Sequence, residues 1–410
     1  MDPGPKDSLA VAPGELLAVA VPPGPAWVPL LHRLWSERIA FMPLDERLPE
    51  SERRRLLDLA RPAAVLGAGG GSTVYAGAEP VDHEVAIVMA TSGTGGAPRL
   101  VELARDAVIA AVVGSRAALA AAGHDVSRRF ASCLTPAHIG GLLTLVRSEI
   151  DQVPVVVHER FDATRLVRES QSGSTVSLVP TMVARLVREG ADLGRFGVLL
   201  IGGGPLDPGL RAAAEALGAT IVETYGLTES CGGVVYEGQP FQGTEVRIGD
   251  GTGKPNGEAG GIELRGPTLM QGYRGDSAAT GAAFDVRGWF RTADAGSIDD
   301  EGRLAVAGRL DDAIRTGAET VWPLEVERAL ESHPKVAEVA VAGRPHPEWG
   351  QQVVAFVVPR SIDEAPSAQE LRDHASERIA RHKAPSEVVL VHRLPRTPAG
   401  KLRRSALPER

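Results

Sequence analysis

Val198-Leu199-Leu200-Ile201-Gly202-Gly203-Gly204-Pro205, then Thr220-Ile221-Val222-Glu223 and Thr224-Tyr225-Gly226-Leu227-Thr228-Glu229, is the stretch on which the fold turns. A short apolar run stopped by glycines and a proline reads as a strand buried on both faces. The intervening residues 209–217 read as a helix, and 220–223 as a second buried strand. The same rhythm extends upstream, with strands at 153–157 and 176–179 and helices at 163–169 and 182–189. Further back, an Ala-rich helix covers 106–122, a buried strand covers 85–90, and an amphipathic helix covers 51–59. Strand and helix in alternation predict an α/β domain with a largely parallel sheet.

Past residue 230 the texture changes to short strands with glycine turns at 245–248, 261–265 and 302–306, which predicts a smaller β-rich subdomain. Beyond Gly308-Arg309-Leu310-Asp311-Asp312 the order is helix 323–332, strands 336–342 and 352–358, helix 368–382 and strand 387–391. A segment of roughly 100 residues with this pattern suits an independent α+β domain.

Composition narrows the function. The net charge is −8 with both signs mixed along the chain, and no basic stripe is interleaved with aromatics, so a nucleic-acid interface is not expected. The apolar run 16–31 is broken by Pro22, Pro23, Pro25 and Pro29, which fits neither a signal peptide nor a membrane span. A cytoplasmic protein without membrane insertion is expected. Cys133 and Cys231 stand apart with no Cys-x-x-Cys spacing and no histidine cluster, so reduced thiols are expected, not a disulfide framework or zinc site.

Four segments carry the chemistry. Thr91-Ser92-Gly93-Thr94-Gly95-Gly96-Ala97-Pro98-Arg99 follows a buried strand and offers hydroxyls, glycines and one cation. Glycines let backbone N–H groups approach an anion, so the loop suits a triphosphate, although no Gly-Lys-Ser/Thr closes it as in a Walker A loop. By itself it reads equally as a flexible turn. The segment Thr224–Glu229 sits at a strand end, where ligands collect in α/β sheets. Tyr225 offers a ring to a base, Thr228 a phosphate donor, and Glu229 a hard oxygen for Mg²⁺. In the segment Trp289–Asp294, Asp294 can accept ribose hydroxyls, and Arg309 can reach the same ribose or a phosphate. The fourth segment, Leu394-Pro395-Arg396-Thr397-Pro398-Ala399-Gly400-Lys401-Leu402, places a lysine on a glycine-bounded loop. Each of these charged groups, alone, is also an ordinary surface residue.

In this order and spacing the four segments resemble the adenylate-forming superfamily of acyl-CoA synthetases, luciferases and peptide-synthetase adenylation domains, from about Val85 to Leu402. The resemblance implies an adenylating domain over 1–308, a hinge at 309–312 and a mobile domain over 313–410. It assigns ATP phosphates to Thr91, Ser92, Gly93, Thr94, Gly95 and Arg99, and the acyl and adenine pocket to Gly202, Gly203 and Gly204. Thr224, Tyr225 and Gly226 line the adenine, and Thr228 and Glu229 meet phosphate and Mg²⁺. Asp294 and Arg309 hold the ribose, Asp311 is the hinge, and Gly317 lines the CoA tunnel. Lys401 bridges carboxylate and phosphate during adenylation. The implied cofactors and substrates are ATP, Mg²⁺ and CoA with a small carboxylic acid; a homodimer is admitted, but no segment specifies it. Arg99 departs from the usual lysine, keeping charge but not shape, and activity is expected to survive. Ala293 and Ala318 stand where glycine is common.

Thr135-Pro136-Ala137-His138-Ile139-Gly140-Gly141-Leu142 with Val146-Arg147-Ser148 resembles the o-succinylbenzoate:CoA ligases of menaquinone synthesis, as do the segments Leu200–Pro205 and Thr224–Tyr236. The resemblance puts His138 at the acid; by itself it also reads as a core histidine at a helix start. This acid carries a second carboxylate, which calls for a second cation or donor set. Three other readings stand beside it. One is a ligase for another aryl or medium-chain acid, and another is an enzyme loading a carrier protein in trans. The most distant is a non-catalytic adenylate binder, against which Glu229, Asp294, Arg309 and Lys401 count together.

Overall fold

A computed structural model describes residues 11–92, 98–170, 172–249, 259–317, 319–396 and 402–408. The chain forms two compact units. The first comprises the residues up to Leu206, Leu210–Glu245 and Leu264–Phe290; the second comprises Asp207–Gly209, Val246–Glu263 and the chain from Arg291 on.

Two seven-stranded sheets build the first unit. One runs, in spatial order, Gly272–Tyr273, Pro98–Ala104, Val85–Ser92, Ala40–Pro43, Leu16–Ala20, Ala64–Gly67 and Ser72–Val74. Its centre is parallel and its flanks are antiparallel. The proline-broken run at 16–31 resolves into the wholly buried strand Leu16–Ala20 and the start of the helix Trp27–Ser36. Pro29 falls in the first turn of that helix, where a missing N–H costs nothing. Trp27 anchors the connection, its indole N–H donating to the Val21 carbonyl at 3.0 Å.

The other sheet runs Gln239–Pro240, Gly232–Tyr236, Ile221–Leu227, Phe196–Ile201, Ser174–Leu178, Phe130–Ser132 and Val155–Val157. It is parallel from Ile221–Leu227 onward and antiparallel at its other edge, so the parallel-sheet expectation holds for most of it. Leu199 and Ile201 pack with Val183, Leu186 and Leu166 from the crossover helices. Helix Ile139–Asp151 inserts Leu142, Leu145 and Val146 into the core shared with Trp27, Leu31 and Leu34. At about 25 cal/mol per Å² of apolar surface removed from water, such continuous burial is what holds these layers together.

Several expected boundaries move, and two of the shifts have a plain cause. The strand beginning at Ile221 does not stop at Glu223 but continues to Leu227, because Thr224–Leu227 pairs with Gly232–Tyr236. The helix expected over 368–382 ends at Ser376. The chain then turns, bringing Ile379 and Ala384 onto the core, and Lys383 donates to Glu325 at 2.7 Å.

Most of the four-stranded sheet Glu245–Gly249, Gly260–Arg265, Phe290–Ile298, Leu304–Arg309 belongs to the second unit. Its other sheet is built on the antiparallel pair Val336–His346 and Gly350–Pro359. Helices Pro323–Glu331 and Ala368–Ser376 cover one face through Val326, Leu330, Leu371 and Ala375. Leu394 and Leu407 pack on Phe356 on the other. Among the described residues, no helix is long and apolar enough to cross a membrane.

Candidate active site

Two paired strands carry the ends of the glycine-rich segment. Val85–Ser92 runs antiparallel to Pro98–Ala104, with Thr91 opposite Arg99. Gly93, Thr94 and Gly95, with the side chain of Ser92, lie outside the described residues, as does Lys401. Arg99 lies over the ring of Tyr273, 5.1 Å from its centroid.

Tyr273 leads directly to Glu229. Its hydroxyl donates to Glu229 Oε1 at 3.1 Å, and the Met270 N–H donates to the Glu229 carbonyl at 2.7 Å. Burial, and then the Glu229 carboxylate, push the phenol up to about 12, against the pull of Arg99. It therefore stays protonated and acts as the donor. Glu229 sits in the single turn Thr228–Ser230, which the Ser230 hydroxyl closes by donating to the Gly232 carbonyl at 2.9 Å and accepting from the Leu227 N–H at 2.9 Å.

Tyr225 and Gly226 lie on the strand itself, opposite Val235 and Gly233. A Cβ on Gly226 would stand 1.8 Å from the Gly232 carbonyl oxygen, so only glycine permits this close pairing. Thr224 donates to the Ile201 carbonyl at 3.2 Å, and a Cβ on Gly202 would meet the Thr224 hydroxyl at 2.6 Å. The ends of the two central strands, at Gly202–Gly204 and Thr224–Glu229, therefore lie side by side. Gly203 takes a left-handed turn (φ 78°) there.

His138 is exposed at the N-cap of helix Ile139–Asp151, so the core-histidine alternative does not hold. Its imidazole helps hold the Asp45 carboxyl below the usual range, after Arg47, although burial opposes both. One face of the helix follows the strand Gly232–Tyr236: Leu143 meets Gly232, and a helical turn later Arg147 Nη2 donates to the Tyr236 hydroxyl at 3.0 Å. Arg147 is 7% exposed and its Nε has no hydrogen-bond partner among the described residues, while the Asp151 carboxylate, a helical turn on, feels its charge. The Tyr236 hydroxyl also meets Ser115 at 2.8 Å.

In the second unit, Asp294 is buried and accepts from Arg309 Nη1 at 3.1 Å, and the two residues face each other across the strand pair. Thr292 fixes the approach, accepting from the Asp294 N–H at 3.1 Å and donating to the Ile262 carbonyl at 2.8 Å. Asp311 is exposed in the short turn Leu310–Asp312. Gly317 is left-handed (φ 62°) with open space where a side chain would be.

Both cysteines are free and buried; burial pushes the Cys133 thiol up to about 12 and Cys231 higher, so both are inert. Motif reading did not reach Tyr273, and it met Arg147 only within Val146–Ser148, with no role of its own. The signal for Arg147 was available: it is one cation in the apolar stretch Leu142–Val146 and beyond. Tyr273, in a strand of only Gly272–Tyr273, leaves no periodic trace.

The donor set can be tested for a metal. No group of three or more His, Cys, Asp or Glu residues converges among the described residues, which excludes an all-protein cage there. Glu229 accepts one hydrogen bond at Oε1, and none is made at Oε2 among the described residues. A hard carboxylate oxygen with no partner among the described residues fits Mg²⁺, which keeps its waters and takes one or two carboxylates with substrate phosphates.

A parallel sheet whose strand ends meet at Gly202–Gly204 and Thr224–Glu229, with Arg99 and Glu229 joined through Tyr273, has the arrangement of an α/β nucleotide-activating enzyme. The model of the AMP-binding enzyme family matches residues 69–274, and that of the AMP-binding enzyme C-terminal domain matches residues 325–401. The chain belongs to the AMP-binding enzyme family, and is an AMP-forming ligase. It is 38% identical to the probable 2-succinylbenzoate–CoA ligase of Mycobacterium tuberculosis, over 81% of this chain and 86% of that one. The o-succinylbenzoate CoA synthetase of Bacillus subtilis, solved with its acyl-adenylate intermediate OSB-AMP, superposes with a TM-score of 0.83 at 28% identity, covering 98% of this chain and 89% of that one. The same synthetase solved with ATP and magnesium gives a TM-score of 0.81 at 28% identity, over 97% and 90% of the two chains.

Proposed function

We propose that the protein is an ATP-dependent 2-succinylbenzoate–CoA ligase of menaquinone biosynthesis, acting in the cytoplasm. The observation that carries the choice of acid is Arg147. A buried guanidinium with an unmet Nε, on the helix that His138 begins, waits for an anion. The distal carboxylate of 2-succinylbenzoate supplies one, while the other carboxylate points to His138 and the strand ends.

In this reading the acid's oxygen attacks the α-phosphorus of ATP and pyrophosphate leaves. The CoA sulfur then attacks the acyl carbon and AMP leaves. Magnesium, held by Glu229, offsets the negative charge of the phosphates. Thr91, Ser92, Gly93, Thr94 and Gly95 hold the β- and γ-phosphates with Arg99, and Thr228 donates to the α-phosphate. Tyr225 stacks on adenine between Thr224 and Gly226, and Gly202–Gly204 let the adenylate lie against the sheet. Asp294, oriented by Arg309, accepts from the ribose. Lys401 holds carboxylate and phosphate together, so positioning supplies much of the rate. Thioester formation uses the Gly317 face, with Asp311 as hinge between an adenylating part, 1–308, and a mobile part, 313–410.

The test is an assay of pyrophosphate release and CoA-thioester formation with 2-succinylbenzoate, ATP and CoA, beside Lys401→Ala. Wild type is expected to make thioester, and the variant to lose adenylation by about 100-fold or more, the scale on which removing one transition-state contact acts. Silence with this acid but turnover of another from an aryl and fatty acid panel overturns the substrate. Pyrophosphate release without any CoA thioester indicates carrier loading, and silence throughout indicates a binder.

A further inference from the structure

We propose that Tyr273 is a positioning residue tying Arg99, the cation that closes the phosphate segment, to the carboxylate of Glu229, so that this carboxylate is oriented before magnesium–ATP arrives. The inference rests on the reading of Glu229 as the metal ligand. One short segment fixes Glu229 at both ends: the Met270 N–H takes its carbonyl at 2.7 Å, and the Tyr273 hydroxyl takes Oε1 at 3.1 Å. Among the described residues, that leaves Oε2 without a partner and able to meet a cation. The Arg99 guanidinium lies 5.1 Å from the centroid of the same ring. Tyr273 pairs with Val101, two residues beyond Arg99 on the same strand, so the register places ring and guanidinium on one face.

A two-residue edge strand holds nothing unless it is itself held, and this one is. The Tyr273 N–H donates to the Thr280 hydroxyl at 2.9 Å, and that hydroxyl donates to the Asp276 carbonyl at 2.9 Å. Next door, the Arg274 side chain is only 5% exposed and donates to the Ala60 and Glu79 carbonyls at 2.7 Å each and to Glu102 at 3.0 Å. The ring therefore has a fixed place relative to the phosphate hairpin. Arginine suits the position where the family has lysine, because a planar guanidinium stacks on a ring and a point charge does not.

The test uses full-length Tyr273→Phe, which keeps the ring and removes only the hydroxyl. Mn²⁺ bound to the enzyme–ATP complex, without acid, is measured by electron paramagnetic resonance. The variant is expected to bind Mn²⁺ about 10- to 100-fold more weakly, the usual effect of losing a partner that orients a ligand. Thioester formation from supplied acyl-adenylate and CoA is expected to keep its rate. Wild-type Mn²⁺ affinity in Tyr273→Phe, with Glu229→Gln weakened, overturns the inference and leaves the proposed function intact. Unchanged Mn²⁺ binding in Glu229→Gln overturns the metal-ligand reading and the inference with it. Loss of both Mn²⁺ binding and thioester formation in Tyr273→Phe shows a structural role only and also overturns it.

Discussion

A guanidinium withdrawn from water is costly unless an anion or a full set of acceptors meets it. Arg147 donates to Tyr236, and its Nε is unmet among the described residues, which therefore do not fully satisfy it. Arg147→Met is therefore expected to raise KM for 2-succinylbenzoate on the order of 30-fold, about 2 kcal/mol for a lost charged hydrogen bond. KM for ATP should stay where it is, and a monocarboxylic benzoate should be turned over equally well by variant and wild type. Steady-state kinetics with the two acids decide it; an equal loss on both would mean that Arg147 only shapes the helix. Motif residues and this one differ in legibility for a physical reason. The roles proposed for Tyr225, Thr228 and Glu229 follow from their type and spacing, whereas Arg147, although it stands in a recognisable stretch, takes its proposed role from its burial.

At the scale of elements, burial is what made the chain readable. The strand Phe196–Ile201 and the helix Ala163–Glu169 fall close to where apolar runs and helical spacing place them. Where an end depends on a partner elsewhere in the chain, spacing misses it: Thr224–Leu227 is strand only because Gly232–Tyr236 lies alongside. Local capping, by contrast, is written in the sequence. Asp162 accepts from the Arg165 N–H at 2.8 Å and starts the helix Ala163–Glu169, which buries Ala163 and Leu166. Asp162→Ala is expected to cost about 1 kcal/mol, with turnover unchanged, since it removes one N-cap far from the strand ends. Urea unfolding of the variant beside wild type measures this; an unchanged midpoint would show that packing of Leu166 alone fixes the helix start.

Over the whole molecule, stability and pH are linked through groups that fold into the wrong dielectric for their charge. His158 is 2% exposed, with Nε2 unpartnered. Burial holds its pKa below the ordinary value, only partly offset by Glu169, whose carboxylate lies 3.5 Å from Nδ1. Unfolded, the ring takes a proton near pH 6.5; folded, it resists. The stability it leaves intact is thus fully present above about pH 6.5 and is lost as pH falls through its lower folded value, because the unfolded chain then binds more protons. The midpoint of thermal unfolding should be flat from about pH 8 to 7 and decline below about 6.5, and His158→Gln should flatten part of that decline. Scanning calorimetry across that range is the check, and an identical slope in the variant would remove His158 from the account.

The family and the alternation of strand and helix were determined by the sequence itself, which also proposed the residues that meet ATP, because short buried runs, glycine turns and spaced charges act locally and leave a local record. The tertiary structure decided the partners: Tyr273 on Glu229, Arg99 over the ring, Arg309 on Asp294 and Arg147 in its apolar setting. Those depend on which strand edges meet and which side chains lose their water, and neither property belongs to any one stretch of chain.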